Sequence, residues 1–529
     1  MDFVSAIPNF IVNEILAVPA FLIGIITAVG LIALRKSAGQ VLGGAIKATL
    51  GFLLLGAGAG IVVSSLEPLG SMITFATGTK GVIPTNEAIA AIAQESYGSQ
   101  VAWLMILGFA VSLLLARFTP LRYVFLTGHH VLFMATMLTI ILAASGFNSV
   151  VVVLLGAVLL GILMVSLPAL AHPYTRKITG DDSIAIGHFG TAGYLAAGAV
   201  GQAVGGRGKK QSPSTEKSNL PQGLSFLRDS MVSTALSMAI MYVAIAVLAL
   251  IRVGSEEAFA VFETEPANTG AYIMASVNQG FQFGIGVAVI LFGVRTILGE
   301  LVPAFQGIAA RVVPGAIPAL DCPIVFPYAQ NAVIIGFISS FVGGLVGLAV
   351  LSAWLNPVFG LALILPGLVP HFFTGGAAGV YGNATGGRRG AIFGAFTNGL
   401  IITFGPALLM GVLGEFADAD TTFGDADFGW FGILVGKTAN LGGLIALVLL
   451  ILIGAILLAG AIFVQKRFVD RPCDPAPWRG SYLSGGDAKP ELSSSNSETV
   501  GVIKGYSKIA PPPGAPMPPQ PEVLGFSKQ

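Results

Sequence analysis

Two short segments of this chain place a carboxylate three residues after a proline. Residues 81–87 read Gly-Val-Ile-Pro-Thr-Asn-Glu, and residues 315–321 read Gly-Ala-Ile-Pro-Ala-Leu-Asp. A carboxylate accepts hydrogen bonds from hydroxyl groups and can bind a proton. Inserting an ionisable group into a membrane costs about 2.5–3.5 kcal/mol, so such a group is retained where it faces a cavity or a partner. The paired motif therefore predicts two broken helices, one in each half of the chain, that meet at a polar site.

The two carboxylates have alternative roles that the local sequence leaves open. Asp321 can accept a hydrogen bond or a proton from a substrate hydroxyl, or it can cap the positive end of a broken helix. Glu87, its counterpart, is followed by a more polar stretch. A solvated helix start is therefore the alternative role for Glu87.

Histidines in apolar surroundings are further candidates for a polar site. His129 and His130 follow a Thr-Gly pair, and His188 lies in Ile-Gly-His-Phe-Gly. Neighbouring residues of a helix do not face each other, so we expect one of the first two to line a cavity and the other to bond the backbone, without a shared metal ion. We expect a structural role for His371, which follows a proline.

The composition is typical of a membrane protein. The chain is 54% hydrophobic and 10% charged, with a mean hydropathy of +0.84, whereas soluble domains carry roughly 25% charged residues. A membrane-spanning helix needs about 20 apolar residues. The predicted spans are 18–34, 41–64, 101–116, 121–144, 150–170, 231–251, 284–301, 333–355, 361–380, 391–413 and 442–464. We therefore expect an all-α polytopic protein of about eleven transmembrane helices, because lipid requires backbone groups to be bonded internally.

Charge and cysteine content exclude several classes of function. The formal net charge is +1, which indicates no nucleic-acid partner. Two cysteines, Cys322 and Cys473, are too few for a disulfide framework or a zinc cluster. We expect no metal, no cofactor and no nucleophile–base pair.

Basic residues close to the spans predict the orientation of the chain. They follow the first span at Arg35-Lys36, recur between residues 172 and 230 and at Arg388-Arg389, and follow the last span at Lys466-Arg467. The acidic connection at 415–427 contains no basic residue, which favours the outer face. The N-terminus is therefore expected outside and the C-terminus in the cytoplasm.

The chain divides into two halves and a tail. The expected regions are a transmembrane region at 1–466, with a first repeat at about 17–171, a connection at 172–230, a second repeat at about 231–413 and a last span at 438–466, and a tail at 467–529. Within the connection, 184–204 is rich in Gly and Ala, which favours a re-entrant or packed segment. The tail is rich in Pro and Ser, which predicts disorder.

A second similarity between the halves supports duplication. Residues 125–129 read Phe-Leu-Thr-Gly-His, and residues 372–376 read Phe-Phe-Thr-Gly-Gly. If each repeat crosses the membrane an odd number of times, the two are inverted relative to each other, as alternating access favours.

At these residues the chain resembles the membrane subunit, enzyme IIC, of the bacterial ascorbate-specific phosphotransferase system. The resemblance runs from about residue 17 to residue 462, and its motifs include Leu34-Arg35-Lys36-Ser37, Leu126-Thr127-Gly128-His129, Ile186-Gly187-His188 and Asp321-Cys322. It implies a homodimer in the lipid of the bacterial inner membrane, each protomer with a core domain that moves against a V-shaped dimerisation domain. It also implies a separate cytoplasmic IIB protein whose phosphorylated cysteine donates phosphate to the arriving ascorbate, so the permease alone is not catalytic.

The resemblance further implies a set of substrate contacts. These are Asn86, Glu87, His129, His130, Val131, Leu132, Phe133, His188, Phe189 and Asp321. The ascorbate carriers have Thr-Tyr in place of Asn86-Glu87 and glutamine in place of Phe133 and of Phe189. Exchanging amides for phenyl rings removes hydrogen bonds to a polyhydroxy ligand, which can change the substrate. Ascorbate is the first candidate, and another sugar acid or a polyol is the alternative.

Two other classes of function stay open at this level. A secondary transporter without phosphotransfer would bind a proton at Glu87 or Asp321 and deliver its solute unmodified. A receptor or structural membrane protein would transport nothing, and the polar residues at membrane depth argue against it.

Overall fold

Helices form most of the chain, as the composition predicted. The computed structural model describes residues 19–78, 81–206, 208–217 and 230–471. In chain order its longer helices are α1 (Pro19–Ala33), α2 (Ala38–Thr77), α3 (Asn86–Phe118), α4 (Gly128–Ala144), α5 (Ser149–Thr179), α6 (Thr191–Val204), α7 (Ser230–Phe259), α8 (Thr269–Val312), α9 (Gln330–Val350), α10 (Leu368–Leu409), α11 (Ala426–Ala439) and α12 (Gly443–Val464). The short strands are β1 (Gly81–Pro84), β2 (Tyr123–Phe125), β3 (Ala185–Ile186), β4 (Ile317–Leu320), β5 (Leu363–Ile364) and β6 (Thr421–Thr422).

Eight of the described helices are long and apolar enough to cross a membrane, namely α2, α3, α5, α7, α8, α9, α10 and α12. The apolar part of α1 and the whole of α4 are shorter, at 10–17 residues. Large apolar side chains such as Leu53 and Ile456 are exposed on these helices, as suits surfaces that meet lipid tails. The protein is therefore a multi-pass membrane protein.

Two helices, α2 and α5, extend beyond the predicted spans and have capped ends. At the start of α2, Ser37 and Gln40 form a capping box, and the helix runs to Gly78, which has a positive φ. At the start of α5, the side chain of Asn148 accepts a hydrogen bond from Val151 N. These caps satisfy backbone groups that a helix end leaves unpaired. Helix α2 ends 13 residues after the predicted span, at Thr77, and α5 continues to Thr179, where Gly180 adopts a positive φ and ends the helix.

Helix α10 is a hairpin of two packed arms. Gly387 has φ 57° and ψ −147°, which breaks the helix, and only glycine adopts such a conformation readily. The arms then run side by side, since a Cβ on Gly382 would lie 2.2 Å from the carbonyl oxygen of Gly390. Farther along, Asn398 Nδ2 donates to Thr374 Oγ1 at 3.1 Å. Two spans had been predicted here, and the two arms of α10 correspond to them.

The two Gly-x-Ile-Pro motifs form strands rather than broken helices, which corrects the prediction. Strand β1 pairs in parallel with β5 and β6, and β4 pairs in parallel with β2 and β3. Each motif strand is thus the centre of a three-stranded sheet whose outer strands come from the other half of the chain. The partners supply the backbone hydrogen bonds that lipid cannot.

A seam of small residues joins α2 to α8. A Cβ on Gly58 would lie 2.8 Å from Ile290 N and 2.9 Å from the carbonyl oxygen of Gly286. Gly51 approaches Gly293 equally closely. Small residues let membrane helices approach this closely and gain van der Waals contact, and Gly58, in the glycine-rich stretch at 56–60, serves this packing.

Three further predictions concern the segment 184–204, the two similar pentapeptides and the tail. Segment 184–204 forms β3 and α6, and α6, which has 14 residues, packs against α10 as a segment too short to span. The similar pentapeptides differ in structure, because Phe125 ends β2 whereas 372–376 lies inside α10. Residues 467–469 of the predicted tail continue a helical turn that ends at Val469, and 472–529 lies outside the described residues.

Candidate functional site

The strands of the two small sheets end at one polar cluster. In a parallel sheet these ends lie at the same edge. Strand β2 leads to His129 and His130, β3 leads to His188 and β4 leads to Asp321. In the other sheet, β1 leads to Asn86 and Glu87, and β6 leads to Asp425. We call the cluster of Asn86, Glu87, His129, His130, His188, Asp321 and Asp425 the strand-end cluster.

Asp321 combines the two roles that the sequence left open. Its Oδ1 accepts a hydrogen bond from Cys322 N at 2.7 Å and so caps the following 3-10 helix, Cys322–Tyr328. The same oxygen lies 3.7 Å from His188 Nε2, and Oδ2 lies 3.5 Å from His129 Nε2. The Asp321 side chain is 40% exposed and that of His129 is 32% exposed. The open side of the cluster is therefore formed by these two residues.

His188 presents a hydrogen-bond donor to Asp321. Its Nδ1 accepts from Gly190 N at 2.9 Å, so the proton of the neutral ring is assigned to Nε2. Tyr194 Oη also lies 2.9 Å from Nδ1. Burial lowers the pKa of His188, in the connection between β3 and α6, to about 4. The ring is therefore neutral at pH 7, and its Nε2–H points toward the exposed carboxylate.

His130 joins the two sheets. Its ring centroid lies 3.8 Å from that of His188, and its Nδ1 lies 3.9 Å from Asp425 Oδ2. That Nδ1 is buried and has no hydrogen-bond partner among the described residues. The ring centroids of His129 and His130 are 4.8 Å apart. The two rings therefore lie closer together than we expected for neighbouring residues of a helix.

Asn86 ties the first half of the chain to the second. Its Nδ2 donates to Asp425 Oδ2 at 2.8 Å, and its Oδ1 accepts from Gly424 N at 2.8 Å. Both ends of the amide are thus committed within the protein. The structure makes Asn86 a residue that positions the β6–α11 connection.

Glu87 belongs to the same crowded group of carboxyls. It lies in the first turn of α3 and is partly buried. Burial and then the nearby Glu87 raise the pKa of Asp425 to about 8, in a connection outside the eight long apolar helices. Like charges disfavour one another, so these two carboxyls do not both ionise freely near neutral pH. Because Glu87 is partly exposed in the first turn of α3, the solvated helix start stays an alternative prediction for this residue.

Asp427 anchors the helix that follows β3. Its carboxylate accepts from Thr191 N at 2.7 Å and from Ala192 N at 3.1 Å, at the start of α6. Trp430 Nε1 also donates to it, at 2.7 Å. A carboxylate at a helix N-terminus is favourably placed. Asp427 therefore holds α6, and with it the segment that carries His188, against α11.

The acidic connection at 415–427, whose place on the outer face stays a prediction, ends in residues that are buried inside the protein. Asp425 and Asp427 are 4% and 0% exposed. They were missed as site residues because the absence of basic neighbours suggested a surface loop. A usable signal was present, since each acid lies beside a Phe-Gly pair close to the start of a helix, as His188 does.

Aromatic rings pack beneath the strand-end cluster. Phe189 stacks on Phe125 with ring centroids 5.0 Å apart and lies 6.0 Å from His130. Phe133 contacts His129 and His130 edge-on, at 5.9 Å from each ring. Both phenyl rings are fully buried. They exclude water from one side of the histidines and offer no hydrogen bond.

Two of the implied contacts lie away from the polar atoms. Val131 and Leu132 are buried in the main apolar core of the protein. His371, expected to be structural, is buried with Nδ1 2.9 Å from Ser340 Oγ. These three side chains serve packing between helices.

Three overlapping sets of side chains bring possible metal ligands close together. They are His129, His130 and Asp321; His130, His188 and Asp425; and His188, Asp321 and Cys322. The sets that use His188 conflict with its hydrogen bonding, because Nδ1 is an acceptor and Nε2 carries the proton. The first set has no such conflict. The closeness of its members is accounted for by the contact of His129 with Asp321 and by the packing of the two histidine rings.

A groove of about 600 Å³ lies elsewhere, between α3 and α5. It is lined by Glu95, Ser96, Gly98, Ser99, Gln100, Trp103, Ser149, Val150, Val153 and Leu154. It shares no residue with the strand-end cluster, and the exposed carboxylate of Asp321 is not part of it.

Comparison with known proteins places the chain in a family. A family model described as EIIC-GAT, a PTS system sugar-specific permease component, matches residues 14–427. The chain is also similar to the ascorbate-specific PTS system EIIC component of Mycoplasma pneumoniae, with 26% identity over 430 residues, which cover 74% of this chain and 64% of the relative. The similarity therefore spans less than two thirds of the relative's length. With eight long apolar helices and a family match over most of its residues, the chain belongs to the family of sugar-specific permease components of the phosphotransferase system.

Proposed function

We propose that this protein translocates L-ascorbate, or a related sugar acid or polyol, for phosphorylation by a separate IIB protein during uptake. The observation that carries this proposal is the position of Asp321. Its half-exposed carboxylate lies between His129 and His188, at the point where strands from both halves of the chain end. Carboxylate and imidazole groups so arranged suit a ligand rich in hydroxyl groups, since they offer both acceptors and a donor.

The proposed architecture is a duplicated one with eleven crossings. The order β1, α3, β2, α4, α5, β3, α6 in the first half matches β4, α9, β5, the two arms of α10, β6 and α11 in the second. Counting the arms of α10 separately, α1, α2, α3, α4, α5, α7, α8, α9, α10 and α12 supply eleven crossing segments. Inverted repeats of this kind support alternating access about a central site.

The proposed assembly is a homodimer with a mobile core in each protomer. Helices α1, α2, α7 and α8 pack mainly against one another, and α6, α9 and α10 form a second group. The first group is the candidate for the V-shaped dimerisation domain, and the second belongs to the core that carries the strand-end cluster.

The proposed location is the bacterial inner membrane, with the C-terminus in the cytoplasm. The linker at residues 212–217 contacts α10 at the break of that helix. Arg388 N donates a hydrogen bond to the carbonyl oxygen of Pro213 at 2.8 Å. Both segments were predicted on the cytoplasmic side from their basic residues, and their contact supports that assignment.

Uptake measured with and without the IIB protein tests the proposal. Cells that express this permease together with its IIB protein and the phosphate donors are expected to accumulate the labelled substrate as a phosphate ester. Cells without the IIB protein are expected to accumulate none. Accumulation of unmodified substrate in the latter cells would contradict group translocation and identify a secondary transporter.

A further inference from the structure

The backbone that follows β3 is bonded to α11 on both sides of Gly190. Before that glycine, the carbonyl oxygen of Phe189 accepts from Asp427 N at 2.9 Å. After it, Thr191 N and Ala192 N donate to the carboxylate of Asp427, at 2.7 Å and 3.1 Å. One residue of α11 therefore holds the chain at three points within four residues.

Gly190, between these contacts, determines how His188 presents its ring. Gly190 N donates to His188 Nδ1 at 2.9 Å, so the ring proton lies on Nε2. Thr191 Oγ1 donates to the carbonyl oxygen of His188 at 2.7 Å. Because Asp427 fixes the backbone before and after Gly190, it also fixes the direction of the Gly190 N–H. His188 Nε2 then lies 3.7 Å from Asp321 Oδ1.

Both carboxylate oxygens of Asp427 are used by N–H donors. Thr191 N bonds Oδ2, whereas Ala192 N and Trp430 Nε1 bond Oδ1, the latter at 2.7 Å. An asparagine at this position would replace one oxygen with an NH2 group, which donates and does not accept. Whichever way the amide is turned, at least one of the three donors would lose its acceptor.

We propose that Asp427 is a positioning residue for substrate binding, which orients the Nε2–H of His188 toward Asp321 through the backbone of residues 189–192. The inference rests on the proposed transport function, because it concerns the hydrogen bond that His188 offers to a ligand. Asp427 is itself fully buried and does not contact the ligand. Its effect on affinity is therefore expected to pass through His188.

Glu216 supplies a matched control, because its carboxylate also caps a helix that belongs to another segment. It accepts from Ala332 N at 3.0 Å and from Asn331 N at 3.3 Å, at the start of α9. No residue of α9 belongs to the strand-end cluster. A substitution at Glu216 therefore weakens a comparable cap without acting on the backbone beside His188.

Nitrogen NMR of the purified full-length protein tests the orientation of His188 without a ligand. The chain has five histidines, and proton–nitrogen correlation spectra distinguish a protonated ring nitrogen from an unprotonated one. The signals of His188 are those that disappear in His188→Phe. We expect a protonated Nε2 in the wild type, a shift of both ring signals in Asp427→Asn and no shift in Glu216→Gln. Unchanged His188 signals in Asp427→Asn would overturn the inference.

A double-mutant cycle tests whether Asp427 acts on affinity through His188. Calorimetry with L-ascorbate, D-gluconate and D-sorbitol first identifies the bound probe, which is the ligand with the highest affinity for the wild type. Asp427→Asn is expected to weaken its binding about 3- to 10-fold, as the loss of one hydrogen bond would. In the His188→Phe background the same change is expected to have an effect below about twofold, as is Glu216→Gln in the wild type. Equal losses from Asp427→Asn in both backgrounds would show a merely structural role and refute the inference.

The two measurements separate this inference from the proposed function. If the His188 signals shift in Asp427→Asn but none of the three probes binds, then the positioning role stands and the proposed class of ligand fails. If a probe binds and is phosphorylated during uptake, while Asp427→Asn changes neither the His188 signals nor the affinity, then the proposed function stands and the inference fails.

Discussion

Asp321 uses its two oxygens for different purposes, and the division explains how one residue both builds and serves the site. Oδ1 caps the 3-10 helix through Cys322 N, and Oδ2 faces His129 near the open side of the cluster. A cap contributes roughly 1 kcal/mol to stability, and a charge-assisted hydrogen bond contributes about 1.5–3 kcal/mol to binding. The two roles can therefore be separated by a substitution that removes the charge and keeps the oxygen.

Asp321→Asn is expected to abolish most substrate binding while the protein stays folded. The amide oxygen still accepts from Cys322 N, but the charged contact with hydroxyl groups is lost, so affinity falls about 10- to 100-fold. Calorimetry with the bound probe measures the loss, and thermal unfolding in detergent checks the fold. Affinity equal to that of the wild type would remove Asp321 from the site.

Asn86→Ala is expected to destabilise the protein rather than to remove a ligand contact. The change leaves Asp425 and Gly424 N without their partner, and each buried polar group left unpaired costs about 1–3 kcal/mol. Thermal unfolding in detergent measures the effect, with Asn278→Ala, at an exposed position, as the control. Since the pair acts together, the double variant with Asp425→Ala should cost less than the sum of the two single variants. Additive costs would refute the link.

At the scale of elements, glycines decide where helices turn and how closely they pack. The break of α10 at Gly387 brings its arms together and admits the linker at 212–217 between them and α9. Glu216 Oε1 accepts from Ala332 N there, at 3.0 Å, and so caps α9. Asn383 Oδ1 accepts from Thr215 N at 3.0 Å. The linker therefore depends on the shape of the α10 hairpin.

Gly387→Ala is expected to destabilise the protein more than Gly360→Ala does. Both glycines have positive φ, at 57° and 68°, so both substitutions strain the backbone. At Gly387 a Cβ would also lie 2.3 Å from the carbonyl oxygen of Ser212, whereas nothing lies within 4 Å at Gly360. We expect about 1 kcal/mol at Gly360 and a clearly larger loss at Gly387, measured by thermal unfolding. Equal losses would show that the linker does not pack as described.

Gly58→Val is expected to separate α2 from α8, and Gly60→Val to be tolerated. A side chain at Gly58 would collide with Ile290 N and Gly286, whereas a Cβ at Gly60 meets no atom within 4 Å. Overpacking a close interface costs typically about 1–3 kcal/mol. The yield of folded protein on size-exclusion chromatography in detergent compares the two variants. Similar behaviour of both would argue against the seam.

At the scale of the whole molecule, contacts between distant loops fix which connections share a side of the membrane. Ser145 Oγ donates to Asn440 Oδ1 at 2.9 Å, so the α4–α5 and α11–α12 connections lie together. The side chain of Arg176 contacts both Asp182 and the backbone of Val469, so the end of α5 lies with the end of α12. These pairings agree with the orientation expected from the basic residues.

Cysteine labelling of intact cells is expected to reveal this orientation. In a Cys473→Ser background, Leu441→Cys should react with an impermeant maleimide from outside, because Leu441 is 61% exposed beside the α4–α5 connection. Gln211→Cys, at the exposed position just before the linker, should react only after the cells are permeabilised. Native Cys322 is buried and should stay unlabelled. The opposite pattern would invert the proposed topology.

The sequence alone was sufficient to identify a membrane protein and several residues of the strand-end cluster. Apolar content and span length follow from composition, because the cost of placing polar groups in lipid acts on each residue separately. His129, His188 and Asp321 stood out for the same reason, as ionisable residues in apolar surroundings. The structure places the carboxylate of Asp321 3.5 Å from His129 Nε2 and 3.7 Å from His188 Nε2.

Only the tertiary structure decided how the two halves interlock. The Gly-x-Ile-Pro segments become strands because partners far along the chain supply their backbone hydrogen bonds, and no local pattern reports such pairing. Asp425 and Asp427 resemble surface residues in sequence, yet hydrogen bonds from Asn86, Thr191 and Trp430 allow their burial. Burial of a polar group depends on the partners that the fold provides, and those partners come from distant segments.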